Sequence, residues 1–302
     1  MKLMVSGIGG VGGYIASVLC ANHKEVTIIA RKKRRQALQE KGLVLHSERM
    51  GEKIFHPTVL ENPADIGIQD VIFVCVKNFS LLEALTAIQP CINSHTIIVP
   101  ILNGIDHYET TCRFLKEGIV VNALIYITAA YNEDYSITQT GDYARVLVDA
   151  PNKEHAQHIV SLLNHVGILD CSIPKNMDVE MWTKFITNCA YNTITARYQC
   201  TTRGLLTPPE RLQEFHTLIE EACFVAEAKN IPIPYDLADS VFDRMTHHRT
   251  LDATSSMARD TIAHLPIELE TFSGYLVRTA HELEVPIPLS ERMYKELKEM
   301  TK

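Results

Sequence analysis

The chain has 302 residues, which is long enough for about two domains with a sizeable core. Its apolar fraction of 46% and charged fraction of 22% are typical of a globular protein, and a net charge of −7 argues against a nucleic-acid partner. No apolar run reaches the roughly 18 residues of a transmembrane helix, and the cysteines show no zinc-ligand spacing. We therefore expect a cytoplasmic protein with no signal peptide, no membrane partner and no metal site.

The first predicted elements are a strand, a glycine-rich turn, a helix and a second strand. The apolar run 2–6 leads into a turn made of Gly7, Ile8, Gly9, Gly10, Val11 and Gly12. A helical pattern and the apolar run 26–30 follow. In a dinucleotide-binding unit, such glycines permit a sharp turn, close approach of the backbone to a pyrophosphate, and close packing of helix on strand. The pyrophosphate would meet the free N–H groups of the helix N-terminus, so the sequence predicts a dinucleotide site here.

A cluster of five cations follows the second strand, at Arg31, Lys32, Lys33, Arg34 and Arg35. An NAD site would carry an acidic residue there, to accept hydrogen bonds from the ribose 2′-hydroxyl. Cations at a helix start oppose the helix dipole, which favours a ligand over the alternative of a solvated helix end. Arginine can bind phosphate through two hydrogen bonds. We therefore predict NADP(H) as the cofactor, with Arg31 as the main contact and Lys32 as a second candidate.

Strands and helices continue to about residue 173. A helix is predicted from Arg31 to Lys41, closed by Gly42, and further helices at 81–88 and 153–165. Strands are predicted at 43–45, 53–55, 70–76, 96–99 and 168–171. Further strands within 120–130 and 144–148 are expected to complete the sheet. Lys77 and Asn103 each follow a strand, at the edge where parallel sheets bind ligands. A turn or helix N-cap is the alternative role for Asn103.

After Pro174 the sequence is almost entirely helical in period. The predicted helices are 179–195, 209–230, 235–248, 255–260, 266–284 and 289–301. Pro266 stands where a first-turn proline would, and the adjacent His247 and His248 are interpreted as surface residues. The predicted fold class is α/β, an N-terminal Rossmann doubly wound sheet followed by an all-α C-terminal domain. We assign residues 1–173 to NADP binding and residues 174–302 to the substrate and catalysis.

The predicted helix 179–195 carries a stripe of polar side chains. Lys184 and Asn188 are four residues apart on one face, and Asn192 lies one turn further on. A solvated face is the alternative, because lysine stems often cover apolar surface. Two amides beside the lysine favour a site, since buried amides need partners that a polar substrate supplies. A partly desolvated lysine also suits the proton donor that a carbonyl reductase needs.

Further motifs follow in a consistent order. They are Lys77, Asn103-Gly104, the run from Lys184 to Asn192, Ser255-Ser256-Met257, and Ile267-Glu268 ahead of Ser273-Gly274. Together with the glycine turn and Arg31, their order and spacing resemble the ketopantoate reductase (2-dehydropantoate 2-reductase) family over essentially the whole chain. The resemblance implies an NADPH-dependent enzyme acting on a small 2-oxo acid.

The resemblance also implies a role for each motif. Lys184 would be the general acid that protonates the C2 oxygen, and Glu268 would orient Lys184 and the substrate hydroxyl. The implied substrate-binding residues are Asn103, Asn188, Asn192 and Ser256, with Ser256 on the carboxylate. The implied cofactor-binding residues are Gly7, Ile8, Gly9, Gly10, Val11, Gly12, Arg31, Lys77 and Asn103. Without the resemblance, Glu268 is equally a helix-dipole residue, and Ser256 equally a surface or helix-capping residue.

Three positions depart from the family pattern. Gln199 and Ser273 stand where asparagine is usual, and Leu102 stands where a polar residue is common. The acid–base and cofactor residues are intact, so the reaction type follows the family, while the departures affect the polarity on the substrate side. The first hypothesis that the resemblance implies is reduction of 2-dehydropantoate to (R)-pantoate in pantothenate and coenzyme A synthesis. A reductase of another 2-oxo acid on the same scaffold stays open. So does a non-catalytic NADP(H)-sensing protein, which would need neither Lys184 nor Glu268. A homodimer and a monomer are both compatible with the sequence.

Overall fold

The computed structural model describes residues 1–247 and 250–301, and the chain divides into two compact units, Met1–Met177 and Asp178–Lys302. The first unit is α/β and the second is helical, which confirms the predicted fold class. His247 is exposed, as predicted, whereas His248, the second histidine of the pair and the predicted helix end, lies outside the described residues. Within the described ranges, no helix is both long enough and apolar enough to cross a membrane.

The first unit alternates strands and helices. Its strands are β1 (Leu3–Ser6), β2 (Val26–Ile29), β3 (Leu43–Ser47), β4 (Gly51–Phe55), β5 (Thr58–Leu60), β6 (Val71–Val74), β7 (Ile97–Pro100), β8 (Ile119–Val120), β9 (Asn122–Tyr131), β10 (Ile137–Asp149) and β11 (Asp170–Ser172). Its helices are α1 (Gly10–Asn22), α2 (Lys32–Lys41), α3 (Leu81–Ile88), α4 (His107–Phe114) and α5 (Lys153–Leu163).

Six strands form a parallel sheet in the order β5-β2-β1-β6-β7-β8. The central strands β1, β2, β6 and β7 are short, rich in valine and isoleucine, and buried along their whole length. Continuous apolar strands of this kind are typical of a parallel sheet covered on both faces. The sheet order reverses direction after β1, so the strand that carries the glycine turn lies between β2 and β6.

The expectation that strands within 120–130 and 144–148 complete the parallel sheet was wrong. They are β9 and β10, which pair with each other in an antiparallel hairpin and belong to a second sheet with β3, β4 and β11. The turn from Asn132 to Ser136 explains the difference, because so short a connection permits only antiparallel pairing. The two-residue strand β8 takes the last place in the parallel sheet instead.

The second unit consists of helices. They are α6 (Met177–Tyr198), α7 (Thr202–Leu206), α8 (Pro209–Ala228), α9 (Leu237–Thr246), α10 (Ser256–Ile262), α11 (Tyr275–Glu282) and α12 (Pro288–Met300), with a π-helical turn at Glu270–Gly274 before α11. Prolines open α8 and α12, as their missing N–H groups allow. Pro266, however, lies in an irregular stretch before the π-helical turn, which corrects its predicted first-turn position. Proline disfavours the helical conformation in Leu265 before it, and the residues after it become helical only beyond Glu268.

Aromatic contacts hold α6 within the second unit. The rings of Trp182 and Phe185 meet edge to face with centroids 5.4 Å apart, and Phe185 meets Tyr275 of α11 in the same way at 5.5 Å. Such pairs contribute about 0.5–1.5 kcal/mol beyond the area that they bury. Trp182 and Phe185 are both buried, so their packing fixes the rotation of α6 within the second unit.

Candidate active site

Four neighbouring strands of the parallel sheet end level with one another. Ser6 pairs with Ile29 and Val74, and Val74 pairs with Pro100, so that β1, β2, β6 and β7 finish in register. The segments that follow these strands carry the glycine turn, Arg31, Lys77 and Asn103. The structure therefore brings the predicted cofactor residues to one edge of the sheet, which is where parallel sheets bind ligands.

The glycines of the turn serve different steric purposes. Gly7 has a φ of +96°, and a Cβ there would lie 2.6 Å from the carbonyl oxygen of Cys75. A Cβ on Gly12 would lie 1.9 Å from the carbonyl oxygen of Gly7, so only glycine lets α1 pack this close to β1. A Cβ on Gly9 would meet no atom of the described residues within 4 Å. Gly9 is thus the glycine that leaves open space for a ligand.

The N-terminus of α1 suits the pyrophosphate of a dinucleotide. Gly9 is the N-cap residue, and among the described residues no side chain caps this helix end and no acid lies in its first turn. The first N–H groups of a helix have no partner within the helix, and they carry a partial positive charge. Together with the open space at Gly9, this geometry fits the group that the glycine motif predicts.

Two alanine substitutions should separate the folding role from the binding role. Gly12→Ala is expected to destabilise the protein by about 1–3 kcal/mol, because the new Cβ overlaps the carbonyl of Gly7. Gly9→Ala is expected to keep the wild-type melting temperature but to weaken NADPH binding about tenfold or more, because its Cβ enters the ligand space. Circular dichroism melting and fluorescence titration with NADPH measure the two effects. An equal loss of stability in both variants would contradict the assignment of a folding role to Gly12 and a binding role to Gly9.

The five cations that follow β2 do not share a single role. Arg34 donates from Nη1 to the carbonyl oxygen of Ile8 at 2.6 Å and from Nε to the hydroxyl of Tyr131 at 2.6 Å. Arg35 pairs with Glu61 at 3.4 Å. Arg34 therefore braces the glycine turn, a role that the sequence analysis missed because nothing in the spacing connects it to Ile8. Arg31 is the exposed N-cap residue of α2 and pairs with Glu83.

Lys77 and Asn103 are both half-buried. Lys77 begins the short turn that follows β6, and Asn103 lies in the irregular segment between β7 and α4. The N-cap residue of α4 is Asp106, so the alternative role of Asn103 as a helix cap does not apply. Both residues keep their predicted position beyond a strand end.

In the second unit, Lys184 and Glu268 form an electrostatically coupled pair. Burial lowers the pKa of Lys184 to about 8, and the carboxylate of Glu268 opposes this effect by favouring the ammonium. Glu268 lies just before the π-helical turn and is only 4% exposed. A lysine with a pKa near the working pH can both hold and release a proton, as a general acid must. The structure thus couples two residues that are 84 positions apart in the chain.

The buried amide of Asn192 finds its partners within the protein. Its Nδ2 donates to the carbonyl oxygen of Asn188 at 2.8 Å, and its Oδ1 accepts from the backbone N–H of Met257 at 3.2 Å and from Oγ of Ser256 at 3.4 Å. The structure therefore brings Asn188, Asn192 and Ser256 together. It also corrects the argument that such an amide needs a substrate, because here it anchors the start of α10 to α6.

The structure places the two residues that stand where asparagine is usual in different surroundings. Gln199 is exposed and follows α6 with a φ of +46°, and Ser273 is buried with its Oγ 2.6 Å from Oγ1 of Thr193.

The structure also places beside α6 a cation that the sequence analysis missed. Arg244 of α9 donates to Oγ1 of Thr187, one turn beyond Lys184, at 3.2 Å. Its sequence position gives no signal, since it reads as part of the solvent face of α9.

The chain matches two family models that together span nearly all of it. The model described as ketopantoate reductase PanE/ApbA matches residues 3–153, and the model of its C-terminal part matches residues 176–301. The chain belongs to the ketopantoate reductase family. This confirms the resemblance read from the motifs. It makes the chain an oxidoreductase of a family that uses a nicotinamide cofactor and acts on 2-oxo acids.

Individual relatives agree with this membership. The chain is 29% identical over 299 residues to the uncharacterized oxidoreductase YkpB of Bacillus subtilis, covering 98% of both chains. The crystal structure of a PanE/ApbA family ketopantoate reductase from Ralstonia eutropha superposes with a TM-score of 0.91 at 22% identity, covering 100% of this chain and 98% of that one. The ternary structure of D-mandelate dehydrogenase with NADH and anilino(oxo)acetate gives a TM-score of 0.89 at 18% identity, covering 100% and 98%. The two structural likenesses establish the fold.

Within the described ranges, no group of three or more histidine, cysteine, aspartate or glutamate side chains could hold a metal ion. The first unit carries the predicted cofactor residues at one edge of its parallel sheet, and the second unit carries the polar stripe of α6 with the coupled pair Lys184 and Glu268.

Proposed function

We propose that this chain is an NADPH-dependent 2-dehydropantoate 2-reductase, which forms (R)-pantoate for pantothenate and coenzyme A synthesis. The observation that carries the proposal is Lys184, whose pKa of about 8 is set by burial and by Glu268, in a chain of the ketopantoate reductase family. A binding protein that only senses NADP(H) would have no use for this pair. The pair therefore favours catalysis over sensing.

The reaction needs a hydride on C2 and a proton on the oxygen of the same carbonyl. NADPH, when bound, supplies the hydride. Lys184 gives the proton from its ammonium as the oxygen becomes an alkoxide, and it can do so because its pKa lies near the working pH. Glu268 keeps the ammonium protonated against the cost of burial and orients it.

The other side chains bind and orient the reactants. Asn188 and Ser256 hold the hydroxyl and carboxylate of the substrate, and Asn192 contributes by accepting a hydrogen bond from Oγ of Ser256. Asn103 contacts the substrate and the nicotinamide ribose, and Lys77 lines the cofactor site. The backbone from Gly7 through Ile8, Gly9, Gly10 and Val11 to Gly12 holds the pyrophosphate. Arg31 reads the 2′-phosphate, so that residues 1–173 bind NADP and residues 174–302 carry the acid–base pair.

A reductase of another 2-oxo acid on the same scaffold is the second candidate. Leu102 favours it, because this buried apolar residue precedes Asn103 where the family commonly has a polar side chain. The likeness to D-mandelate dehydrogenase shows that the same fold serves a protein named for a different substrate.

A substrate panel tests the proposal. We expect the purified protein to oxidise NADPH rapidly with 2-dehydropantoate, and more slowly with other 2-oxo acids or with NADH. The decrease in the reduced-nicotinamide absorbance measures the rate. If the protein turns over only a different 2-oxo acid, the mechanism stands and the second candidate function replaces the first. Tight NADPH binding with no turnover of any acid would contradict an enzyme and favour a sensor.

A further inference from the structure

Arg31 is paired with a carboxylate on another helix. Its Nη1 lies 2.5 Å from Oε1 of Glu83, which belongs to the first turn of α3. The two side chains are 53% and 64% exposed, so the pair stands in solvent, where a ligand can reach it. Exposed pairs of this kind contribute only about 0.2–1 kcal/mol, so a stronger partner can replace either member.

The pair lies at the sheet edge that carries the glycine turn. Arg31 comes two residues after the end of β2, and α3 follows β6. These are the two strands that flank β1, whose end leads into the glycine turn. Glu83 is therefore an acid at the edge where the sequence analysis found only cations. It was missed because it is 52 residues from Arg31 and belongs to a different helix.

We propose that Glu83 sets the balance between NADPH and NADH by competing with the ribose 2′-phosphate for Arg31. The proposal rests on the proposed role of Arg31 as the reader of that phosphate. A dianionic phosphate must share or replace the carboxylate and is repelled by it. The neutral 2′-hydroxyl of NADH meets no such repulsion, and a carboxylate can accept its hydrogen bond. Glu83 thus weakens NADPH binding selectively and moderates the preference that Arg31 creates.

Fluorescence titration of the Glu83→Gln variant with NADPH and with NADH tests the competition. We expect the Kd for NADPH to fall about three- to fivefold, and the Kd for NADH to stay constant or rise. Added salt should reduce the gain for NADPH, since the repulsion is screened. The gain should also shrink in the Arg31→Ala background, where only the direct repulsion between the carboxylate and the phosphate is left.

Glu61→Gln is the matched control. Glu61 forms an exposed ion pair with Arg35 of the same helix α2, at 3.4 Å, and its removal changes the local charge by the same amount. It should leave the ratio of the two Kd values unchanged. An equal gain in this variant would show a general charge effect and would overturn the competition.

The remaining outcomes distinguish this inference from the proposed function. If Arg31→Ala weakens NADPH binding but Glu83→Gln leaves the Kd ratio unchanged, the competition is wrong and the role of Arg31 stands. If Glu83→Gln weakens NADPH binding, Glu83 orients Arg31 instead of competing for it, and the inference is again wrong. If Arg31→Ala leaves NADPH binding intact, the proposed reader of the 2′-phosphate fails, and with it the basis of the inference.

Discussion

Replacing Lys184 with alanine is expected to lower kcat for reduction of the 2-oxo acid by about 10²–10⁴-fold, the usual contribution of a general acid. The substrate oxygen would then receive its proton from water. Water is not held in position by the site, and its pKa is not close to the working pH as that of Lys184 is. The Kd for NADPH should stay within about twofold, because the predicted cofactor contacts come from the first unit. Steady-state turnover and NADPH fluorescence titration measure the two quantities.

Two further variants distinguish the loss of the proton donor from a loss of folding. Lys184→Gln keeps most of the side-chain volume and should lose kcat to a similar extent at an unchanged melting temperature. Lys229→Ala removes an exposed lysine at the end of α8 and should retain full activity. The assignment of Lys184 as the acid is wrong if either Lys184 variant keeps more than about a tenth of the wild-type kcat.

Replacing Glu268 with glutamine is expected to shift the pH dependence of reduction to lower pH. The acid must be protonated, so the wild-type rate should fall as the pH rises through about 8, the pKa of Lys184. The carboxylate of Glu268 raises that pKa, and its loss leaves burial unopposed and lowers the pKa further. Each unit by which the pKa falls below the assay pH removes about tenfold of the protonated lysine and of the rate. The pH profile of kcat, measured across this range, reports the shift.

A recovery at low pH separates this effect from structural damage. The Glu268→Gln rate should approach the wild-type rate as the pH falls, whereas a distorted site would lose activity equally at every pH. Glu282→Gln changes an exposed carboxylate at the end of α11 and should leave the profile in place. A pH-independent loss in the Glu268 variant would show that its carboxylate does not act through the pKa of Lys184.

Local patterns predicted most helices and strands of this chain. The helix at Leu81–Ile88 has the predicted bounds, and the predicted helix that ends at Lys41 is closed by Gly42 with a φ of +78°. Such features depend on residue spacing and on backbone sterics within a few positions. Pro266 shows the limit of the approach, because a proline that suits a first turn equally suits the irregular segment before one.

Strand partners were less accessible to sequence reasoning. The runs that form β9 and β10 were recognised as strands, but they were placed in the wrong sheet. The composition of a strand indicates whether the strand is buried. Which strand it pairs with depends on the turn that follows it and on which edges of the sheet are already paired. The two-residue strand β8, too short to give a sequence signal, occupies the edge that the longer strands were expected to take.

The amino-acid sequence by itself determined the glycine turn after β1, the succession of an α/β region and a helical region, and the placement of Lys184 and Asn188 on one face of α6. Each of these follows from periodicity or sterics over short distances along the chain. Only the tertiary structure decided that Glu268 supports the charge of Lys184, that Arg34 braces the glycine turn, and that Glu83 pairs with Arg31. These relations join residues tens of positions apart, and their energies depend on distance and burial, which no local pattern encodes.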